Sequence, residues 1–415
     1  MVTKRVINFL LRISIIISKT LLIYILTKYL TEADFGSYVL FTSILAFITY
    51  TAGLDLYIIT GRKIITRKND KNRRLFWIVL QLKFSFLTAI TVSLGAYLLS
   101  SNLAVSQSVG ILLVLIFSEL VSQEVCRILI NLERQIESSI IMFIRTSLWV
   151  FPLAIASSFN LIEFKLDLIF NLWTLFSVIS LIVSVKYLGF SRQEWRYSIP
   201  TKKRDIYVLL RVLNQSRKYF LNTLTYRSIF LIDRYLLGYF KGVLIVGVYG
   251  FLSAIHTAVQ VLVDSIFFQF YYPKLVGLVS EKKMHLSDRL HRNGMLVITL
   301  LYGMPGFFLV YSFDFIIAVV EKDNWVEYRG SLVLIFISGY IFSISQLFHY
   351  YNYALKQDAA NNRSGYISYL IYLTSVFSWV YFDGGINEII LCYLAYCTAL
   401  LILKSSHFYK IKKNA

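Results

Sequence analysis

Basic side chains inside long apolar segments are the residues of this 415-residue sequence best suited to chemistry. Asn8, Arg12 and Lys19 are spaced so that all three fall within about 40° of one another around a helix. Lys19 lies near the middle of its segment, and no acidic residue accompanies it there. Because an uncompensated charge is costly in lipid, we expect Lys19 and Arg12 to face a cavity and bind an anion. The alternative, a side chain that snorkels to the membrane surface, suits Arg12 better than Lys19.

Three further basic residues extend this candidate anion site. Arg227 lies near the centre of its segment, whereas Lys83 and Arg145 lie below the middle of theirs, where snorkelling and cavity lining both remain open. Basic residues outnumber acidic ones across the apolar segments, which favours an anionic substrate. The basic set is Arg12, Lys19, Lys83, Arg127, Arg145, Arg227 and Arg234, and the acidic set is Asp55, Glu119, Glu124, Asp233 and Asp264.

The acidic residues divide by their neighbours in the sequence. Glu124 precedes Arg127 by three residues, a spacing that predicts an ion pair on one helix. Asp55, Glu119 and Asp264 are the candidates for coupling to protons or sodium ions, although Asp55 and Asp264 could instead pair with loop arginines. Adjacent Asp233 and Arg234 are predicted to make a structural contact between helices. Two prolines, Pro152 and Pro305, are predicted to break the fifth and ninth helices, either as hinges or as static kinks.

Motifs of soluble enzymes are absent from the sequence. It contains no phosphate-binding loop, no H-E-x-x-H, no G-x-S-x-G and no C-x-x-C. The five histidines are scattered, and the three cysteines lie in apolar stretches. We therefore predict no catalytic residue, no metal site and no cofactor.

The elements that must position these charges are membrane-spanning helices. Hydrophobic residues make up 57% of the chain and charged residues only 16%, so lipid is the expected solvent. The apolar runs are long and lack the alternation of barrel strands, which predicts an all-α integral membrane protein. About twelve spans are expected, near residues 7–27, 36–59, 75–99, 108–130, 140–159, 168–187, 219–237, 246–270, 294–312, 331–354, 367–382 and 388–403.

The loop charges predict the orientation of these spans. With the N-terminus in the cytoplasm, the cytoplasmic segments hold 28 Lys and Arg residues and the opposite side holds five. This asymmetry is typical of multi-pass proteins and predicts that both termini are cytoplasmic. It also accounts for the formal net charge of +19 without a nucleic-acid partner.

The chain divides into two similar halves. A basic loop falls at its midpoint, which predicts an N-terminal six-helix lobe (1–190), a cytoplasmic linker (191–217) and a C-terminal six-helix lobe (218–415). Gly36-Ser-Tyr38 and Gly247-Val-Tyr249 each open the second span of a half, 211 residues apart. Internal repeats of this size are typical of transporters.

The motifs of both halves resemble those of the Wzx-type polysaccharide flippases of the MOP (multidrug/oligosaccharidyl-lipid/polysaccharide) exporter superfamily. The first half reads Leu30-Thr-Glu-Ala-Asp-Phe-Gly-Ser-Tyr38, then Gly53-Leu54 and Arg62-Lys63. The second half reads Asp233-Arg-Tyr-Leu-Leu-Gly-Tyr-Phe240, then Gly247-Val-Tyr249 and Tyr272-Pro-Lys-Leu275. These segments are loose structural motifs, spread over nearly the whole chain.

The resemblance implies two six-helix lobes around a central, often cationic cavity in the bacterial inner membrane. It implies a flippase for an undecaprenyl-pyrophosphate-linked oligosaccharide, working by alternating access beside a polysaccharide polymerase and glycosyltransferases. A multidrug exporter of the same superfamily is the alternative within transport. A membrane-embedded polymerase or ligase is the alternative from another class, but such enzymes tend to carry a large outer loop, and the longest here spans only about 313–330.

Overall fold

The computed structural model describes residues 2–67, 69–98, 109–159, 163–189 and 203–414. These residues form helices and short connections, with no β-strand among them, as the composition predicts. The chain divides into two compact units, Met1–Arg227 and Ser228–Ala415, which we call unit 1 and unit 2.

The described residues of unit 1 up to 189 form eight α-helices. They are α1 (Val2–Tyr29), α2 (Glu32–Thr51), α3 (Leu56–Thr66), α4 (Lys71–Leu98), α5 (Val109–Asn131), α6 (Gln135–Phe143), α7 (Val150–Ser158) and α8 (Leu166–Leu188). A single π-helical turn, Ile144–Leu148, joins α6 to α7. Helix α9 (Lys203–Phe240) follows and contains the boundary between the units.

Unit 2 contains the remaining helices. They are α10 (Val243–Val263), α11 (Gln269–Ser280), α12 (Met284–Tyr311), α13 (Phe313–Val320), α14 (Arg329–Ala354), α15 (Asp358–Tyr381) and α16 (Ile386–Asn414). A π turn at Asp264–Phe268 joins α10 to α11, and a 3₁₀ turn at Asp323–Tyr328 precedes α14. Helix α14 packs against α10, α12, α15 and α16, so it forms the centre of this unit.

Nine stretches among the described residues are long and apolar enough to cross a membrane, and each corresponds to a predicted span. The other three predicted spans, 108–130, 219–237 and 367–382, coincide within their described residues with helices that do not meet this criterion. They correspond to α5, α9 and α15. Residues 191–202 of the predicted linker lie outside the described residues, and the rest of the linker is helical as part of α9.

The predicted second span, 36–59, is interrupted. Helix α2 ends at Thr51, and α3 begins only at Leu56. Between them Leu54 and Asp55 adopt left-handed conformations, with φ of 46° and 52°, which end an α-helix. Gly53 lies against the side chains of α5, because a Cβ there would be 3.2 Å from Oε1 of Glu124. Sequence periodicity missed this bend because a tertiary contact accompanies it.

The two predicted proline breaks also need correction. Pro305 lies inside α12, which continues past it to Tyr311, so this helix is not broken. A missing N–H removes one hydrogen bond, and membrane helices tolerate that loss. Pro152 lies within α7, just after the π turn, and has no N–H to offer the carbonyl of Leu148. The irregular turn therefore precedes this proline rather than lying at it.

The motif segments mark the same place in both units. Gly36 and Tyr38 are the fifth and seventh residues of α2, and Gly247 and Tyr249 are the fifth and seventh of α10. All four residues are buried. In unit 1 the helix start is capped by Thr31, whose Oγ1 accepts the backbone N–H of Asp34 at 3.1 Å. The motif that opens the first half is thus a helix N-terminus with a buried small residue behind it.

Candidate functional site

An ion pair between α5 and the π turn lies at the centre of unit 1. Nε of Arg145 is 3.4 Å from Oε2 of Glu119, and the two residues are only 5% and 6% exposed. Arg145 also donates to the carbonyl of Glu119 at 3.1 Å and to Oε1 of Gln123 at 2.7 Å. Arg145 was predicted to bind an anionic substrate, but its charge is here held by a carboxylate.

The Glu119 carboxylate has further donors on α8. It accepts Nε1 of Trp173 at 3.0 Å and Oγ of Ser177 at 3.3 Å. Ser177 also receives a hydrogen bond from Ser118 of α5 at 2.8 Å, and Ser122 and Ser180 are 3.2 Å apart one turn on. Small hydroxyl side chains let two membrane helices approach closely. The ion pair is therefore built into the contact between α5 and α8.

Lys19 keeps an exposed side chain beside this ion pair. Tyr50, Arg145 and Glu119 all act on it electrostatically. Arg12, on the same helix, is also exposed. One turn before it, Asn8 accepts a hydrogen bond from Ser139 of α6, which ties this end of α1 to its neighbour. The face of α1 predicted from spacing therefore presents two accessible cations.

A second polar cluster lies where α2 is interrupted. Glu124 and Arg127 form the ion pair that their spacing predicts, and the Arg127 guanidinium lies 4.1 Å from the ring centroid of Tyr57. Gln81 on α4 donates to Oε2 of Glu124 at 2.8 Å and accepts from Oγ1 of Thr60 at 2.7 Å. Sequence analysis missed Gln81, Tyr57 and Thr60, because uncharged polar residues give no signal until their partners are known.

Asp55 lies at the edge of this second cluster. It is 2% exposed, and its Oδ2 has no hydrogen-bond partner among the described residues. Thr223 of α9 hydrogen-bonds to its side chain, and Arg127 and Arg227 act on it electrostatically. Arg227 itself stacks over Tyr50, with the guanidinium 3.6 Å from the ring centroid. Lys83 is half-buried on α4, two residues after Gln81. Asp55, Arg127 and Arg227 thus belong to one polar cluster of unit 1.

Unit 2 places its motif residues in a buried contact. Asp233 is fully buried and accepts hydrogen bonds from Tyr249, at 3.0 Å, and from Tyr372. These two tyrosines belong to α10 and α15, so Asp233 of α9 joins three helices. Arg234 acts electrostatically on this group. In unit 1 the equivalent Tyr38 packs instead among aromatic rings, including those of Phe170 and Trp173.

Buried basic groups in unit 2 were also missed. Lys404 is 5% exposed on α16, and it acts electrostatically on His349 of α14. Nδ2 of Asn352 donates to the backbone carbonyl of Lys404 at 3.2 Å. The last predicted span ends near residue 403, whereas the helix runs on to Asn414 and includes Lys404. The sequence becomes polar after residue 403, so hydropathy alone did not predict that the helix continues.

No group of three or more His, Cys, Asp or Glu side chains within the described ranges could hold a metal ion.

The fold is that of the MATE transporters of the MOP superfamily. An inward-facing multidrug resistance MATE transporter matches with a TM-score of 0.73 at 15% identity, covering 98% of this chain and 99% of that one. The VcmN MATE transporter of Vibrio cholerae matches with a TM-score of 0.61 at 14% identity, over 100% and 98% of the two chains. An outward-facing multidrug resistance MATE transporter matches at 0.56 and 13%, over 100% and 96%. No protein-family model and no curated protein sequence matches the chain.

Proposed function

We propose that this protein is a flippase that moves an undecaprenyl-pyrophosphate-linked oligosaccharide across the bacterial inner membrane. It would do so by alternating access, as part of surface polysaccharide synthesis. Both its termini would be cytoplasmic, and its units would be the two lobes of the transporter. The fold supports transport, since the solved structures that share it are transporters in inward- and outward-facing conformations. The substrate class depends on the charges of unit 1.

One observation carries the substrate class: the two cations of the α1 face, Lys19 and Arg12, remain exposed, whereas Glu119 and Glu124 are held in ion pairs. Glu119 is held by Arg145 and Glu124 by Arg127, so these four charges cancel. Lys19 and Arg12 stay exposed on α1. A pyrophosphate carries several fixed negative charges, and charge-assisted hydrogen bonds to Lys and Arg are among the strongest in proteins. Lys83 and Arg227 lie in the same unit and would add to this positive field.

Among the acidic candidates, Asp55 fits ion coupling best. Glu119 is occupied by three donors, whereas Asp55 is buried with one carboxylate oxygen unpartnered among the described residues. Such a carboxyl can take up a proton or help to hold a sodium ion at a small structural cost. Arg127 and Arg227 would then sense its change of charge. We propose Asp55 as the coupling residue.

The decisive experiment uses the purified protein in vesicles with the lipid-linked oligosaccharide. A flippase raises the accessibility of the glycan to a lectin on the far side and leaves the mass of the lipid unchanged. Lys19→Ala should abolish this activity, and Lys19→Arg should retain more of it because the charge is kept. Lys165→Ala is the matched control, because Lys165 is an exposed lysine of unit 1 that pairs with Glu163 outside the cluster.

Three outcomes would contradict the proposal. Longer glycan chains, or free undecaprenyl pyrophosphate, would identify a polymerase or ligase instead. Transport of tetraphenylphosphonium without movement of the lipid would identify a multidrug-type exporter. Normal flipping by Lys19→Ala would remove α1 from the substrate path.

A further inference from the structure

An acidic group of unit 2 lies exposed on a stretch apolar enough to cross a membrane. Asp264 begins the π turn between α10 and α11, within the apolar stretch Val243–Ser280. Its side chain is exposed. Ionisable side chains within membrane spans face a water-filled cavity or the interior of the helix bundle, because lipid does not solvate them. We therefore expect this face of unit 2 to meet water.

A hydrogen bond from a neighbouring glutamine orients the Asp264 carboxylate. Nε2 of Gln260, one turn earlier, donates to Oδ1 of Asp264 at 3.2 Å. Oε1 of Gln260 in turn accepts the hydroxyls of Tyr302 on α12 and of Ser343 on α14, the latter at 3.1 Å. The Gln260 amide is thus fixed by two other helices. Asp264 is presented in a set direction and keeps acceptor capacity for a ligand.

A cluster of tyrosine rings lies beside this carboxylate. Asp264 acts electrostatically on Tyr350 of α14, as does Tyr272 of α11. The ring of Tyr272 lies 5.3 Å from that of Tyr350 and 5.8 Å from that of Tyr353. Tyr353 is 39% exposed, and Tyr272 and Tyr350 are half-buried. We call Asp264, Tyr272, Tyr350 and Tyr353 the tyrosine–aspartate patch.

We propose that the tyrosine–aspartate patch of unit 2 binds the sugar of the transported glycolipid. This inference rests on the proposed function. A pyranose ring offers apolar C–H faces, which stack on aromatic rings, and hydroxyls that both donate and accept hydrogen bonds. The patch matches both features, since phenol hydroxyls donate and accept while the carboxylate accepts. A lipophilic cation would need only the carboxylate and the ring faces.

The test compares two lipids that differ only in the sugar. Full-length protein in nanodiscs is titrated with undecaprenyl pyrophosphate, and with the same lipid carrying its native glycan, purified from cells that lack this protein. Tyr353→Ala and Asp264→Asn should each weaken binding of the glycolipid about five- to tenfold, the size of one aromatic or hydrogen-bonded contact, and leave the bare lipid unaffected. Tyr353→Phe keeps the aromatic ring and should lose less affinity for the glycolipid than Tyr353→Ala.

Phe307→Ala is the control, because Phe307 is an exposed aromatic ring elsewhere on unit 2. Equal weakening of both lipids, or no weakening of either, would overturn the sugar assignment. The sugar assignment would also be refuted if Asp264→Asn lost tetraphenylphosphonium binding and kept glycolipid binding, since the patch would then be a cation site. Failure of the wild-type protein to bind either lipid would instead refute the proposed function, which separates the two conclusions.

Discussion

Replacing Arg145 by Ala tests whether this arginine holds the fold or the substrate. The substitution removes a charged contact to the Glu119 carboxylate, a hydrogen bond of 3.1 Å to its carbonyl and one of 2.7 Å to Gln123. It leaves Glu119 buried beside Trp173 and Ser177 without its cation. Breaking a buried ion pair on one side costs about 3–5 kcal/mol, because the remaining charge has lost its partner. We therefore expect Arg145→Ala to lower the free energy of unfolding by about that amount.

The assay is equilibrium unfolding in mixed detergent micelles, followed by tryptophan fluorescence. Glu119→Gln combined with Arg145→Ala should recover much of the loss, since no buried charge is then left alone. Lys19→Ala should leave stability within about 0.5 kcal/mol of the wild type, because its side chain is exposed. If Arg145→Ala were as stable as the wild type and lost only lipid binding, the ion pair would not be structural. Arg145 would then return to the substrate site.

Three further predictions concern other parts of the chain. Asp233→Asn should destabilise unit 2 by about 1–3 kcal/mol, because an amide group must replace a carboxylate that accepts two tyrosine hydroxyls. Thermal unfolding measures this loss, and an unchanged midpoint would contradict the prediction. Gly339→Ala should lower expression of folded protein, seen by size-exclusion chromatography, because the new Cβ would lie 1.9 Å from Nε2 of His256; a monodisperse variant at wild-type yield would refute the close approach. Single cysteines in place of Asp383 and Asn69 should react with an impermeant thiol reagent from outside and from inside the cell, respectively, and the reverse labelling would reject the proposed orientation.

Sequence patterns predicted the helices well because length and apolar content decide them locally. The charged face of α1 and the Glu124–Arg127 ion pair follow from spacing on one helix, so both could be read from the sequence. The pairing of Glu119 with Arg145 could not, because it joins two helices and depends on how they pack. The same limit hid the partners of Asp55, which come from α5 and α9.

Local rules also failed where tertiary contacts override them. Leu54 carries no signal for a left-handed conformation, and Asp55 carries only a weak one, since aspartate adopts it occasionally and glycine routinely. Lys404 looked like the first residue of a polar tail, yet the helix continues and buries it. Exposure of Asp264 is likewise a property of the assembled unit, and the sequence left open whether it pairs with a loop arginine.

The two ion pairs of unit 1 have a consequence for how the chain is made. Both close between residues that leave the ribosome within a few dozen residues of one another, Glu119 with Arg145 and Glu124 with Arg127. These charges can neutralise each other as soon as α5 to α7 enter the bilayer, which lowers the cost of inserting them. Asp55 is different, because Thr223 and Arg227 belong to α9 and emerge only after all of α8. During biosynthesis only Arg127 of α5 is present early, and Asp55 gains its contacts with Thr223 and Arg227 when the second half of the chain begins to insert.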